Sequence, residues 1–130
     1  MSWNVGLFIN LAPSIELLAH QVGEILNIDL KRVEDEDGVR YESFEPDFIV
    51  DLYGDHGLVN DRDMNFEDFS LELRLQRLNR NPDQSRERAL SAARTVFEQL
   101  KKTGQYQLML VEDVQKRLDS FDPKSNYPTI

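Results

Sequence analysis

Asp47, Asp51 and Asp55 recur every four residues in the stretch Asp47-Phe48-Ile49-Val50-Asp51-Leu52-Tyr53-Gly54-Asp55. Paired carboxylates are the usual equipment for acid–base cleavage of a glycosidic bond, so their spacing decides what they can do. On one strand face, carboxylates four residues apart lie about 13 Å from each other. That is too far for a pair acting on a single bond. A partner carboxylate from another strand, Glu42 or Glu72, remains open. Asp61-Arg62-Asp63-Met64-Asn65, with Glu72 eleven positions after Asp61, traces the outline of a calcium loop. The sixth position of such a loop needs glycine for its sharp turn, and here it is Phe66. The eighth position, usually apolar, is Asp68, and the residues around Glu72 alternate as a strand does, so the stretch reads as a solvated acidic loop. The two histidines are His20 and His56. His20 lies between Glu16 and Glu24 on the polar side of a helical stretch, the setting of a solvated imidazole helped by both carboxylates. His56, in Asp55-His56-Gly57, has the position of a turn histidine; a general base is the alternative.

Other chemistry is excluded more sharply. There is no cysteine, which removes disulfides, thiolate zinc sites and a thiol nucleophile together. No glycine-rich phosphate loop and no Gly-x-Ser-x-Gly elbow is present. The expectation is therefore a non-enzyme with no cofactor and no metal. Arg74, Arg77, Arg80, Arg86, Arg88 and Arg94 form a run that a nucleic-acid stripe would need, but Glu72, Asp83, Glu87 and Glu98 are interleaved with it. Ion-paired, solvated faces explain the run better.

Charge is distributed unevenly over the 130 residues. Residues 1–68 hold 16 acidic and 4 basic side chains, residues 69–130 hold 8 and 11, and the whole chain carries −9. A folded surface with that excess repels nucleic acid and anionic membrane and attracts basic proteins. The N-terminus has no basic segment ahead of its apolar stretch, and no apolar run approaches the ~20 residues that span a bilayer. A cytoplasmic protein is expected.

The elements that must position these residues follow from hydrophobic period. Trp3, Val5, Leu7 and Ile9 alternate with Asn4, Gly6, Phe8 and Asn10, a strand with one apolar face. Pro13-Ser14 opens a helix with Ile15, Leu18, Val22, Ile25 and Leu26 on one side. Short strands are predicted at Leu30–Glu34, Val39–Phe44 and Asp47–Tyr53, the first two joined at Asp37-Gly38. Phe69, Leu71, Leu73 and Leu75 form the clearest strand. Asn81 as cap, Pro82 at the first position and Gln84 as capping-box partner open a second helix, whose stripe is Ala89, Ala92, Ala93, Val96, Phe97 and Leu100. Lys101, Lys102 and Gly104 end it. Tyr106, Leu108 and Leu110 make a last strand. Val111, Val114, Leu118 and Phe121 then fit a short helix, with a turn and a further strand as the alternative. This order predicts a single α+β domain over residues 1–122 with a mobile tail at 123–130. Its mainly antiparallel sheet has five to six strands and carries both main helices on one face. The second face should then expose Phe8, Phe44, Ile49, Asp51, Tyr53, Glu72, Arg74 and Met109, half apolar and half charged, as binding surfaces often are.

The layout resembles that of small immunity proteins of bacterial polymorphic-toxin and contact-dependent growth inhibition systems. Four features carry the resemblance: the strand and helix over 3–28, the acidic strand Phe48–Tyr53, the alternating strand that runs into an Ala-rich helix over 69–102, and the closing Tyr106–Asp113. It implies a protein that binds a cognate toxin, typically a nuclease with a basic cleft, and blocks it. Asp51, Tyr53 and Asp55, with Asp61 and Asp63 from the following loop, are the expected contact residues. A small cytosolic adaptor domain that binds a protein without inhibiting it is the alternative. Oligomeric state is not readable from the chain.

Overall fold

The computed structural model describes residues 3–123 apart from residues 11, 13, 37 and 55. The tail from 124 onward, most of the segment expected to be mobile, lies outside the described residues. Seven strands form one sheet: β1 (Asn4–Asn10), β2 (Lys31–Asp35), β3 (Gly38–Phe44), β4 (Phe48–Gly54), β5 (Leu71–Arg77), β6 (Gln107–Glu112) and β7 (Lys116–Phe121). Their spatial order is β2-β3-β4-β5-β1-β6-β7, and every pairing is antiparallel. The two helices are α1 (Ile15–Leu26) and α2 (Pro82–Thr103). Among the described residues no helix is long and apolar enough to cross a membrane.

The strand count corrects the five to six expected. The extra strand is β7, in the segment where a helix competed with a turn and strand. Asp113 and Val114 both take positive φ, 52° and 57°. Two consecutive left-handed residues make the tight turn whose twist suits a hairpin, and this folds Lys116–Phe121 back along β6. A β-branched residue at positive φ is unusual, which is why the period of Val114, Leu118 and Phe121 pointed toward a helix.

Both helices pack on one face. Leu18, Ala19 and Val22 of α1 and Ala89, Ala93, Val96, Phe97 and Leu100 of α2 share one cluster with Val5, Leu7, Ile9, Val50, Leu52, Leu73, Leu75, Leu108 and Leu110. The alternation of the strands puts these residues on the same side of the sheet. Phe69 is the exception to the predicted stripe. It precedes β5, turns to the opposite side after the single-turn 3₁₀ helix Phe66–Asp68, and joins a second cluster.

The helix ends follow local chemistry. Ser14 caps α1, its hydroxyl accepting from the Leu17 amide at 3.1 Å. Asn27 closes α1 in the left-handed conformation. Gly104 does the same for α2 at φ 68°. Asn81 stands at the N-cap of α2 as expected, but it is itself left-handed and its side chain makes no capping bond. The start of α2 is instead fixed by Ser85, which is buried. Its hydroxyl accepts from the Leu78 amide at 2.8 Å and donates to the Asp47 carbonyl. One side chain thereby ties the start of α2 to the end of β5 and to the turn before β4. Ser85→Ala leaves two backbone groups without partners and is expected to lower stability by about 1–3 kcal/mol, read from urea unfolding. A loss within error of zero would show that water replaces the hydroxyl.

Candidate functional site

The second face of the sheet is not uniformly open. Residues 56–69 fold over its β1–β6 half, where Phe8, Met64, Phe66, Phe69, Met109 and Val111 form a buried cluster with Leu58 and Val114 packed on it. Phe8 packs against Phe66 with the rings tilted, centroids 4.9 Å apart, and meets His56 edge-on at 5.3 Å. This corrects the expectation that Phe8, Met109 and Glu72 are displayed: all three are buried. The reason is that two helices can cover one face only, and the long β4–β5 connection supplies the apolar side chains that cover part of the other.

His56 holds this cover. Its Nδ1 accepts from the Leu58 amide at 3.0 Å, and its Nε2 lies 2.9 Å from the Phe69 carbonyl. An accepting Nδ1 requires the proton on Nε2, so the ring donates to that carbonyl. Both nitrogens are therefore engaged within the loop, which places His56 as a turn histidine rather than a free base. His20 pairs with Glu24 at 2.7 Å on the solvent side of α1.

The β3–β4–β5 part of the face remains uncovered, and here the register assembles a charged ladder. Glu42 is opposite Asp51 and Asp51 opposite Arg74; one row on, Arg40 is opposite Tyr53 and Tyr53 opposite Glu72. Glu72 is completely buried at the inner end of its row. Its Oε1 accepts from the Tyr53 hydroxyl at 2.8 Å and from Arg74 Nη2 at 3.2 Å, and its Oε2 accepts from Arg74 Nε at 3.0 Å. Three donors on two oxygens satisfy a charge that would otherwise be very costly to bury. Gly6 makes the space: a Cβ at that position would sit 2.9 Å from Glu72 Oε2. The Arg74 guanidinium also lies over the Tyr53 ring, 5.4 Å from its centroid.

Burial and the neighbouring Glu72 carboxylate push the Tyr53 hydroxyl well above its ordinary range, so Tyr53 stays a neutral donor. Burial opposes charge on Arg74, but its hydrogen bonds to Glu72 and the surrounding carboxylates outweigh this and raise its pKa. Asp51 is different. It is half-buried, and loss of hydration, followed by repulsion from Glu42, raises its pKa despite Arg40 and Arg74 nearby. A carboxyl with a raised folded pKa favours folding fully only below its unfolded pKa, near 3.8, and loses that contribution as pH rises through the folded value. At pH 7 Asp51 is thus a carboxylate that the fold holds at a cost. Asp51→Asn is expected to raise the melting temperature at pH 7, and the gain should shrink toward zero below pH 3.8. Thermal unfolding at both pH values checks this; a variant that melts lower at pH 7 would show that its two arginine neighbours dominate.

Comparison with protein-family models, curated proteins and solved structures gives no match. The site therefore rests on its own geometry. Of the five expected contact residues, Asp51 and Tyr53 come together on the open part of β4. Asp55 lies outside the described residues. Asp61 is exposed on the covering loop, where its backbone bridges to Met64. Asp63, also exposed, pairs with Arg117 of β7 at 3.3 Å. The loop acids thus sit over the other half of the sheet. Among the described residues, no group of three or more acidic or histidine side chains is arranged to hold a metal ion.

Arg40 and Glu42 belong to the site and were missing from the expected contact set. Their signal was present in the sequence, since Arg40, Glu42 and Phe44 alternate with Val39, Tyr41 and Ser43. Phe44 stands 71% exposed at the end of this face, among the most exposed large apolar side chains described. The open patch therefore combines a projecting phenyl ring, a fixed tyrosine and a carboxylate held against its own preference for water.

Proposed function

We propose that the protein is an immunity-type binding module that neutralises a basic partner, a toxin domain of the nuclease kind, without catalysing a reaction itself. The observation that carries this reading is Asp51: a half-buried carboxylate, raised in pKa by lost hydration and by Glu42, on the part of the sheet that neither helix nor loop covers. A cationic side chain arriving from a partner relieves that repulsion, so the charge acts mainly on binding. Phe44 and Tyr53 beside it supply the apolar contact that anchors an interface. The acidic excess of the first half of the chain draws such a partner in from a distance.

Recovery of the partner from the native cell tests the reading. The tagged protein should bring down a basic protein, and adding the purified protein to it should abolish that partner's nuclease activity at one-to-one stoichiometry. A partner that keeps full activity in the complex would make the protein an adaptor instead. An acidic partner would overturn the assignment of the surface.

A further inference from the structure

β2 is the last strand on one side of the sheet: among the described residues it borders β3 alone. The helices pack over β1, β4, β5 and β6. The free side of β2 therefore presents backbone N–H and C=O groups with no strand beside them, the template on which a further strand adds. Such edges are usually kept from pairing by charge, and β2 is charged. Lys31, Arg32, Glu34 and Asp35 are exposed and flank Val33, which is partly buried.

The order of these charges sets this edge apart. An antiparallel copy of the same strand, centred on Val33, sets Lys31 opposite Asp35 of the second copy and Arg32 opposite its Glu34. The two valines meet at the centre. Opposite charges across a ladder stabilise it, and like charges repel. The register is specified as well. A slip of two residues, the smallest that keeps each side chain on its own face, sets Arg32 opposite Arg32 or Glu34 opposite Glu34. A parallel copy in register sets like against like throughout. Within one chain Arg32 pairs with Glu34 at 3.1 Å and Asp35 with Arg40 at 2.5 Å. Exposed pairs of this kind contribute little, and a second copy extends them rather than displacing them.

We infer that β2 is the surface on which a second copy of this chain adds, by antiparallel pairing about Val33, to give a two-fold dimer with one continuous sheet. The contact is short and each chain carries −9, so it belongs with the small, transient interfaces. The two-fold axis runs perpendicular to the sheet. Both outer β3–β4–β5 faces are then left uncovered and point to the same side of the dimer. The inference stands on different residues from that face and does not depend on its partner.

Sedimentation of the full-length protein over a range from about 10 μM to about 1 mM tests it. The average mass should rise from one chain toward two and no further, and amide exchange in residues 31–35 should slow as concentration rises. The reversals Lys31→Glu/Arg32→Glu and Glu34→Lys/Asp35→Lys change only exposed positions. Each opposes like charges and should weaken self-association at least about tenfold, with the fold unchanged by circular dichroism. Their equimolar mixture restores every opposite pair and should associate as the wild type does. Val33→Lys, which brings two ammonium groups together on the axis, should abolish the dimer with the flanking charges intact. Wild-type protein that stays monomeric at every concentration would overturn the inference. So would a reversal variant that dimerises as well as the wild type, folded variants that fail to associate when mixed, or protection gained outside β2. The measurement uses this protein alone. A monomeric result therefore leaves the outer-face reading standing, and failure to recover a basic partner leaves the dimer standing.

Discussion

Glu72→Ala is expected to destabilise the fold by about 3–5 kcal/mol, the usual result of removing one member of a buried charged network. The carboxylate is completely buried, and it accepts all three hydrogen bonds that Tyr53 and Arg74 direct inward. Its removal leaves a tyrosine hydroxyl and a guanidinium facing an empty space beside Gly6. The Arg74 side chain is 26% exposed and can turn partly toward water, which favours the lower end of the range. Glu72→Gln keeps the shape and one acceptor and should cost distinctly less. Urea unfolding of the two variants checks the order. A loss below about 1 kcal/mol for alanine would mean that the network is neutral to stability, as some buried ion pairs are.

Phe8→Ala should be as damaging, about 3–5 kcal/mol, but with a different local signature. Phe8 is the residue on which the covering loop closes: it touches Phe66, Phe69 and His56. Without the ring, the loop loses its largest apolar contact, while the helix-side core keeps all of its own. Hydrogen exchange should therefore quicken first in the amides of 58–69, ahead of those in α2. Uniform loss of protection throughout the chain would show that the two clusters unfold as one unit.

These two residues also mark how far the sequence could be read. The helix-side core was legible because Val5, Leu7 and Ile9, or Leu73 and Leu75, alternate cleanly, and because Pro82 and Gly104 bracket α2. The seventh strand was obscured by Val114, a β-branched residue in a left-handed turn, whose spacing to Leu118 and Phe121 imitates a helix. The loop cover was hidden for another reason. Leu58, Met64, Phe66 and Phe69 follow neither a helical nor a strand period, so nothing in their spacing shows that they pack on Phe8. For the same reason Glu72 was expected on a surface, although the alternation placed it on the correct face of β5. Asp51 and Tyr53 were legible as neighbours on one strand face. The Glu42–Asp51 contact was not, because it depends on the register between β3 and β4, and that register is set across strands rather than along one.

The most direct measurement is the association rate of the recovered basic partner with wild-type protein and with Asp51→Lys, followed by stopped flow over a salt series. Exposed charges are screened beyond about 8 Å at physiological ionic strength, so steering by the acidic face should weaken as salt rises. The wild-type rate should fall steeply with salt, and the Asp51→Lys rate should be about tenfold lower at low salt with a flatter dependence. An Asp51→Lys rate equal to that of the wild type at every salt concentration would contradict the outer face of β3–β4–β5 as the binding surface.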